Sequence, residues 1–221
     1  KKYPNIKYLS EVMNFPGVLS KDPDMMAKIA LAKKYKKKID GHAPNLRGAA
    51  AKQYIDEGIS TDHECFTLEE ALDKLMYGMK IIIREGSAAK NYEALIPLLE
   101  TYSDRLMFCS DDKHPNDLAV GHINELVKRS VKRGLNVMDV LRVASLNPIK
   151  HYGLDVGLLQ VGDAADMLVV NNLTDFEVES TYINGYLVAE NKTSMLEYRS
   201  SEFLNNFETD KKTLKDFEIK A

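Results

Sequence analysis

The chain has 221 residues, 44% of them hydrophobic and 29% charged, with no tryptophan, which suits an ordinary globular protein of one domain or one and a half. A formal charge of −3 gives no electrostatic footprint for nucleic acid or an anionic membrane. No apolar run reaches membrane-spanning length and no secretory segment opens the chain. Two cysteines, Cys65 and Cys109, make no disulfide framework and point to a reducing, cytoplasmic setting. The first residue is Lys1 and a strand-like segment follows almost at once, so an incomplete amino terminus is expected.

In chain order, residues 8–13 read as a short apolar strand and Asn14-Phe15-Pro16-Gly17 as a loop, from its Pro-Gly pair. Met25, Met26, Ile29, Ala30 and Ala32 recur at helical spacing over 22–38. The basic run 33–38 closes that pattern, where cations suit the negative end of a helix. A strand at 39–42 is closed by Ala43-Pro44, and a helix over 46–56 ends at Gly58. The stretch 58–65, Gly-Ile-Ser-Thr-Asp-His-Glu-Cys, is a brief strand ending in three ionisable side chains. Thr67 and Glu70 behind it form a capping box that opens a helix to residue 76. Strands at 80–87 and 105–112 follow, with helices at 92–102, 118–133 and 137–146, the last stopped by Asn147-Pro148.

This is βα repeated five times. Strands that are apolar throughout belong to parallel sheets covered on both faces. Each ends in ionisable groups: Glu11, His42, His63 with Glu64, Arg84 with Glu85, and Asp111 with Asp112. Burying unpaired charge costs several kcal/mol, so five such ends in a row suggest convergence on the mouth of a (β/α)8 barrel. The expected fold class is therefore α/β, a partial TIM-type barrel over 1–154. Beyond it, 158–170 and 176–188 look like antiparallel strands with a turn at Asn184-Gly185. That places a small β-rich unit at 155–190 and a polar linker, or the start of a further domain, at 191–221.

Glu11, His42, His63 and Asp111 offer two imidazoles and two carboxylates from four strands, a donor set suited to Zn2+, Mn2+ or Fe2+. A carboxylate can bridge two ions about 3.5–4 Å apart, which acidifies water at neutral pH, and Asp111 could accept the proton. The alternative is four unrelated polar strand ends satisfied by loop backbone.

Gly41-His42-Ala43-Pro44, the 58–65 stretch, 83–91 (Ile-Arg-Glu-Gly-Ser-Ala-Ala-Lys-Asn), 108–115 (Phe-Cys-Ser-Asp-Asp-Lys-His-Pro), 11–18 and 144–148 resemble the adenine deaminase family of the metal-dependent amidohydrolases. The resemblance covers residues 8–190 and implies barrel strands four to eight followed by part of a small β-sandwich. It implies His42 and His63 as metal-binding histidines of strands five and six, Asp111 as the strand-eight ligand, and Glu11 as the bridging carboxylate. Asp111 and Glu64 are the implied proton carriers, with Glu85, Arg84, Ser87, Asp112 and His114 near the substrate. The implied cofactor is a binuclear Mn2+ or Fe2+ centre, with Zn2+ as the alternative. The implied reaction is hydrolysis of adenine to hypoxanthine and ammonia, with no nucleic-acid or membrane partner and a homo-oligomer as the full-length state. The superfamily's strand-one His-x-His pair is absent, because no two of the five histidines, at 42, 63, 114, 122 and 151, are separated by one residue. The chain thus resembles an internal or carboxyl-terminal half of a longer enzyme, expected to bind metal poorly and turn over little by itself.

Plainer roles stand beside these. His122 reads as a partly exposed helix residue, His114 as substrate-side or loop-ordering, His151 as a helix cap, and Asp112 as a loop-orienting carboxylate. Arg84 reads as an ion-pair partner of Glu85 or of a neighbouring strand end. Met25, Met26, Met76 and Met79 read as core filler. Two other functions remain open: a different cyclic amidohydrolase that opens a ring C–N bond, and a non-catalytic barrel remnant serving as scaffold.

Overall fold

The computed structural model describes residues 5–200, 202, 206 and 208–219; the rest of the expected units at either end lies outside the described residues. Strands β1 (Tyr8–Val12), β2 (Lys38–Gly41), β3 (Thr61–Asp62), β4 (Lys80–Arg84) and β5 (Leu106–Cys109) lie side by side in sequence order, each neighbouring pair parallel. The connections carry α1 (Phe15–Leu19), α2 (Pro23–Lys34), α3 (Gly48–Asp56), α4 (Leu68–Met76), α5 (Tyr92–Leu95) and α6 (Leu99–Tyr102). After β5 come α7 (Pro115–Val120), α8 (Ile123–Lys132), α9 (Val137–Leu141) and α10 (Asn147–Tyr152).

Side chains alternate across each strand, and this separates core from site. Ile39 packs with Ile29, Ala51 and Tyr54 from the helices outside β2, while Ile81, Ile83, Leu106 and Phe108 pack with Leu95, Leu126 and Val143. Asp40, Thr61 and Arg84 therefore face the opposite, concave side, in line with His42 and His63 beyond the strand ends. In β1 the register breaks: Leu9 pairs with Ile39 and Val12 with Gly41, so Ser10 and Glu11 together oppose Asp40. Such a bulge re-aims a side chain, here Glu11.

The amino-terminal rim is closed by α10. Asn147 Nδ2 donates to the carbonyls of Ser103 and Leu106, both at 2.7 Å. His151 Nε2 lies 3.4 Å from Ser60 Oγ, and Tyr152 donates to Asp40 Oδ1 at 3.0 Å. Two sequence expectations fail here. Asn147-Pro148 does not stop the helix, since Arg142–Leu146 widen into a π-helix and the chain continues helical to Gly153, which caps it at φ 60°. The wider turn accommodates a residue that has no N–H to donate. His151 is accordingly no cap but a buried side chain within α10.

Other departures are local. Asn14–Gly17 is no loop, because Pro16 sits in the first turn of α1, where its missing N–H costs nothing, and Asn14 Oδ1 accepts from Gly17 N at 3.0 Å. The helix expected to residue 38 ends at Lys34, with Lys36 left-handed at φ 53° and Lys38 already in β2. The capping box is half made: Thr67 Oγ1 accepts from Glu70 N at 3.2 Å, but the Glu70 carboxylate turns to Asn45 N and Phe66 N, at 2.8 and 3.2 Å. The helix expected over 118–133 is broken at Gly121-His122, so His122 is the exposed cap residue of α8. Met79 is core, whereas Met76 is exposed.

Strands β6 (Met167–Val170), β7 (Val178–Ile183), β8 (Tyr186–Glu190) and β9 (Thr193–Ser194) form an antiparallel sheet in that order. Asn184 and Gly185, at φ 51° and 79°, make the expected tight turn. The strand expected over 158–170 is confined to its last four residues, because 157–166 is a loop tied by Asp163 and Asp166 to backbone N–H groups. Phe176 joins the core behind β4 and β5, and Lys128 and Lys132 of α8 pair with Glu177 and Asp175 at 2.6 and 3.1 Å.

Burial, followed by the charges of Lys80 and Lys38, lowers the His151 pKa from 6.5 to about 4. The native state therefore keeps this imidazole neutral while the unfolded chain takes up a proton below its ordinary value. The associated stability is complete above about pH 6.5 and is lost as pH falls toward 4. Denaturant titrations at pH 7.5 and 4.5 are expected to show a smaller acid-induced loss for His151→Gln than for the natural sequence.

Candidate functional site

The carboxyl-terminal ends of four of the five strands, β1, β2, β3 and β5, carry the sequence-predicted ligands. Glu11 Oε2 lies 3.8 Å from His42 Nδ1 and Glu11 Oε1 lies 3.9 Å from His63 Nε2. Asp111 Oδ1 lies 3.6 Å from His63 Nε2. The two imidazoles are edge to face, with ring centres 5.2 Å apart. One ligand atom each from Glu11, His42 and His63 falls within 4.8 Å of the others. Glu11 and Asp111 both have left-handed backbones, at φ 37° and 50°, a conformation that costs of order 1–3 kcal/mol in a non-glycine residue and clusters at functional sites.

Arg84 sits among the carboxylates. Its guanidinium meets Glu64 Oε1 at 2.5 Å and Oε2 at 2.8 Å, and Asp111 Oδ2 at 3.2 Å. Of the two plain partners considered for it, the neighbouring strand ends hold and Glu85 does not. Glu85 points to the helix side, where Arg129 Nη1 donates to Oε1 at 2.7 Å. Glu64 also approaches the imidazoles, with Oε1 at 3.4 Å from His42 Nδ1 and 3.5 Å from His63 Nε2. Ser87, Asp112 and His114 join the two loops above β4 and β5. Ser87 N donates to the Asp112 carbonyl at 3.0 Å, His114 N donates to Ser87 Oγ at 2.8 Å, and Ser87 Oγ donates to Asp117. The loop contact of Asp112 runs through its own carbonyl, and its side chain is exposed.

The sequence reading missed the supports of this site. Tyr54, buried in α3, donates to the Val12 carbonyl at 2.7 Å and accepts from His42 N at 3.1 Å, joining the residues beside Glu11 to the His42 backbone. Asn91 Nδ2 donates to the His63 and Cys65 carbonyls at 2.9 and 3.0 Å, and its Oδ1 accepts from Arg84 N at 2.8 Å. Lys74 Nζ donates to Asp62 Oδ2, Glu70 Oε1 and the Ala43 carbonyl at 2.6, 2.8 and 2.7 Å. Asp62 Oδ1 in turn accepts from Glu64 N at 2.8 Å. Burial alone would lower the Lys74 pKa, but the charge of Asp62 and the hydrogen bonds of Asp62 and Glu70 carry it up to about 12. A Lys four residues after a Glu on a helix was the available signal, though it reads equally as a surface pair.

A divalent cation fits these donors. Glu11, His42 and His63 bring one ligand atom each to a common point, Asp111 stands beside His63, and among the described residues His42 Nδ1 is buried with no hydrogen-bond partner, as expected of an atom whose partner is an ion.

The model of the Amidohydrolase family matches residues 2–188, and the chain belongs to that family, whose metal-dependent hydrolases are built on a TIM-barrel-type α/β fold. It is 59% identical over 98% of its length to the adenine deaminase of Sulfurovum sp. (strain NBC37-1) and 51% identical over 98% to that of Salinibacter ruber. It spans about 40% of the length of either relative. Among solved structures, a β-aspartyl dipeptidase from Fervidobacterium islandicum aligns over 82% of this chain and 54% of its own, with a TM-score of 0.63 at 16% identity. That likeness bears on the fold alone. No helix among the described residues is long and apolar enough to cross a membrane.

Replacing Lys74 by Met would strand Asp62 and Glu70 as buried, unpaired carboxylates, which typically costs about 3–5 kcal/mol. Urea unfolding is expected to show that loss, and Asp62→Asn with Lys74→Met is expected to recover part of it.

Proposed function

We propose that this chain forms the carboxyl-terminal half of an amidohydrolase barrel, strands four to eight, within a protein that hydrolyses adenine to hypoxanthine and ammonia. In this reading residues 1–154 are the barrel half, 155–190 belong to a small β-sandwich beside it, and 191–221 are a linker or the beginning of a further domain. The observation that carries the reading is the meeting of Glu11, His42, His63 and Asp111 from four separate strand ends at one rim. The high identity to adenine deaminases supports the choice of substrate.

Glu11, His42, His63 and Asp111 would hold the metal, a pair of Mn2+ or Fe2+ ions with Zn2+ as the alternative. The metal supplies Lewis-acid activation of the attacking water. Asp111 is the proton acceptor for that water: Arg84 fixes its Oδ2 at 3.2 Å and leaves Oδ1 on the His63 side. Glu64, anchored by the same guanidinium, faces the mouth and would carry the second of the water's two protons. Water adds at C6, its two protons pass by way of Asp111 and Glu64 to N1 of the ring and to the departing amine, ammonia leaves, and both carboxylates return to their starting forms. Ser87, Asp112 and His114 frame the mouth through the two joined loops, and Glu85 braces the first of them against α8. The substrate is the free base: the His-x-Glu and Pro-Cys-x-x-Cys signature of deaminases that act on nucleic acid is absent, because Cys65 and Cys109 stand far apart.

The test is ammonia release from adenine by the natural protein that carries these 221 residues, with metal content measured in parallel. His63→Ala is expected to lose most of the bound metal and at least about a hundredfold in kcat/KM. Turnover of dihydropyrimidine or lactam rings with adenine left untouched would replace this reading with that of a different cyclic amidohydrolase. The 221-residue chain by itself, supplied with Mn2+, is expected to show little or no turnover.

A further inference from the structure

Three carboxylates crowd the mouth, and the one nearest the imidazoles is not one of the proposed ligands. Glu64 Oε1 is 3.4 Å from His42 Nδ1 and 3.5 Å from His63 Nε2, whereas the Glu11 oxygens stand at 3.8 and 3.9 Å. Distance alone would make Glu64 the better ligand. Arg84 reverses that order. Its guanidinium grips both Glu64 oxygens, at 2.5 and 2.8 Å, and only one oxygen of Asp111, at 3.2 Å. Among the described residues Glu11 meets neither Arg nor Lys.

From this grading we infer that Arg84 is a positioning residue that selects the metal ligands, holding Glu64 out of the coordination sphere and leaving it for substrate. The inference rests on the metal-site reading above. The grip is strong because it is two-pronged and dry: both side chains are almost wholly buried, and a guanidinium fork on a carboxylate gains in a low dielectric. It is also pre-set, since Asn91 Oδ1 holds Arg84 N while its amide holds the His63 and Cys65 carbonyls on either side of Glu64. For Glu64 to turn to a metal, a buried guanidinium whose Nε is already unpartnered would lose two more bonds. Glu11 has no such grip to break, and Asp111 keeps one oxygen free.

The experiment is titration of the natural protein with Mn2+, read as affinity and by the Mn2+ EPR spectrum, with urea unfolding to certify each variant. Arg84→Met is expected to raise Mn2+ affinity by about tenfold, the scale on which residues behind a ligand act, and to change the spectrum as Glu64 enters the coordination sphere. Arg84→Met combined with Glu64→Gln is expected to return the affinity to that of the natural protein, and Glu64→Gln alone to leave it unchanged. Arg84→Lys keeps the charge without the fork, so it serves should the Met variant not fold, and it is expected to raise affinity as well. A rise that persists in the double variant, or that Lys abolishes, makes the effect one of charge and overturns the inference. A loss of affinity in Glu64→Gln alone overturns it too, because Glu64 would already be a ligand. A natural protein that takes up no Mn2+ overturns the metal-site reading beneath it; normal uptake with no difference among the variants overturns this inference alone.

Discussion

The mouth of the sheet depends on the neutralisation of buried carboxylates by two buried cations. Arg84 answers Glu64 and Asp111 on the concave side, and Lys74 answers Asp62 and Glu70 on the helix side. Unpaired, these carboxylates would each carry a desolvation cost of several kcal/mol, and the strand ends could not be packed. The two cations act on residues two apart at one strand end, Asp62 facing outward and Glu64 reached from within. Between them His63 is held on both sides. Asn91 and Tyr54 complete the frame through backbone contacts to His63, Cys65, His42 and Val12. The ligand set is positioned by polar bonds that cross between neighbouring βα units, not by packing within any one of them.

That distribution explains what could be read from the order of residues. Five apolar runs ending in charge, at Glu11, His42, His63, Arg84 and Asp111, were legible because strand and charged end are contiguous. So was the Asn184-Gly185 turn, whose requirement for positive φ is local. The supports were not legible, because each joins residues far apart: Tyr54 to Val12 across 42 positions and Asn91 to His63 across 28. A tyrosine at a buried helix position reads as core, and an asparagine before a helix reads as a cap. Asn91 in fact makes no side-chain cap bond. The failures at Pro16 and Pro148 share one cause: a proline reads as punctuation, and here a first turn and a widened helical turn absorb it. Lys36 is the converse, a left-handed residue that ends the helix with no glycine or proline to mark it.

The four candidate ligands are aimed in two different ways. A bulge with a left-handed Glu11 turns that carboxylate toward the imidazoles from β1, and a left-handed Asp111 does the same after β5, while His42 and His63 have no positive φ. The imidazoles are aimed instead by the backbone contacts of Tyr54 to His42 and of Asn91 to His63. Among the four candidate ligands, backbone strain is thus confined to the two carboxylates. Glu64, which follows His63 directly, shares the frame of the imidazoles and depends on the Arg84 grip to stay apart from them.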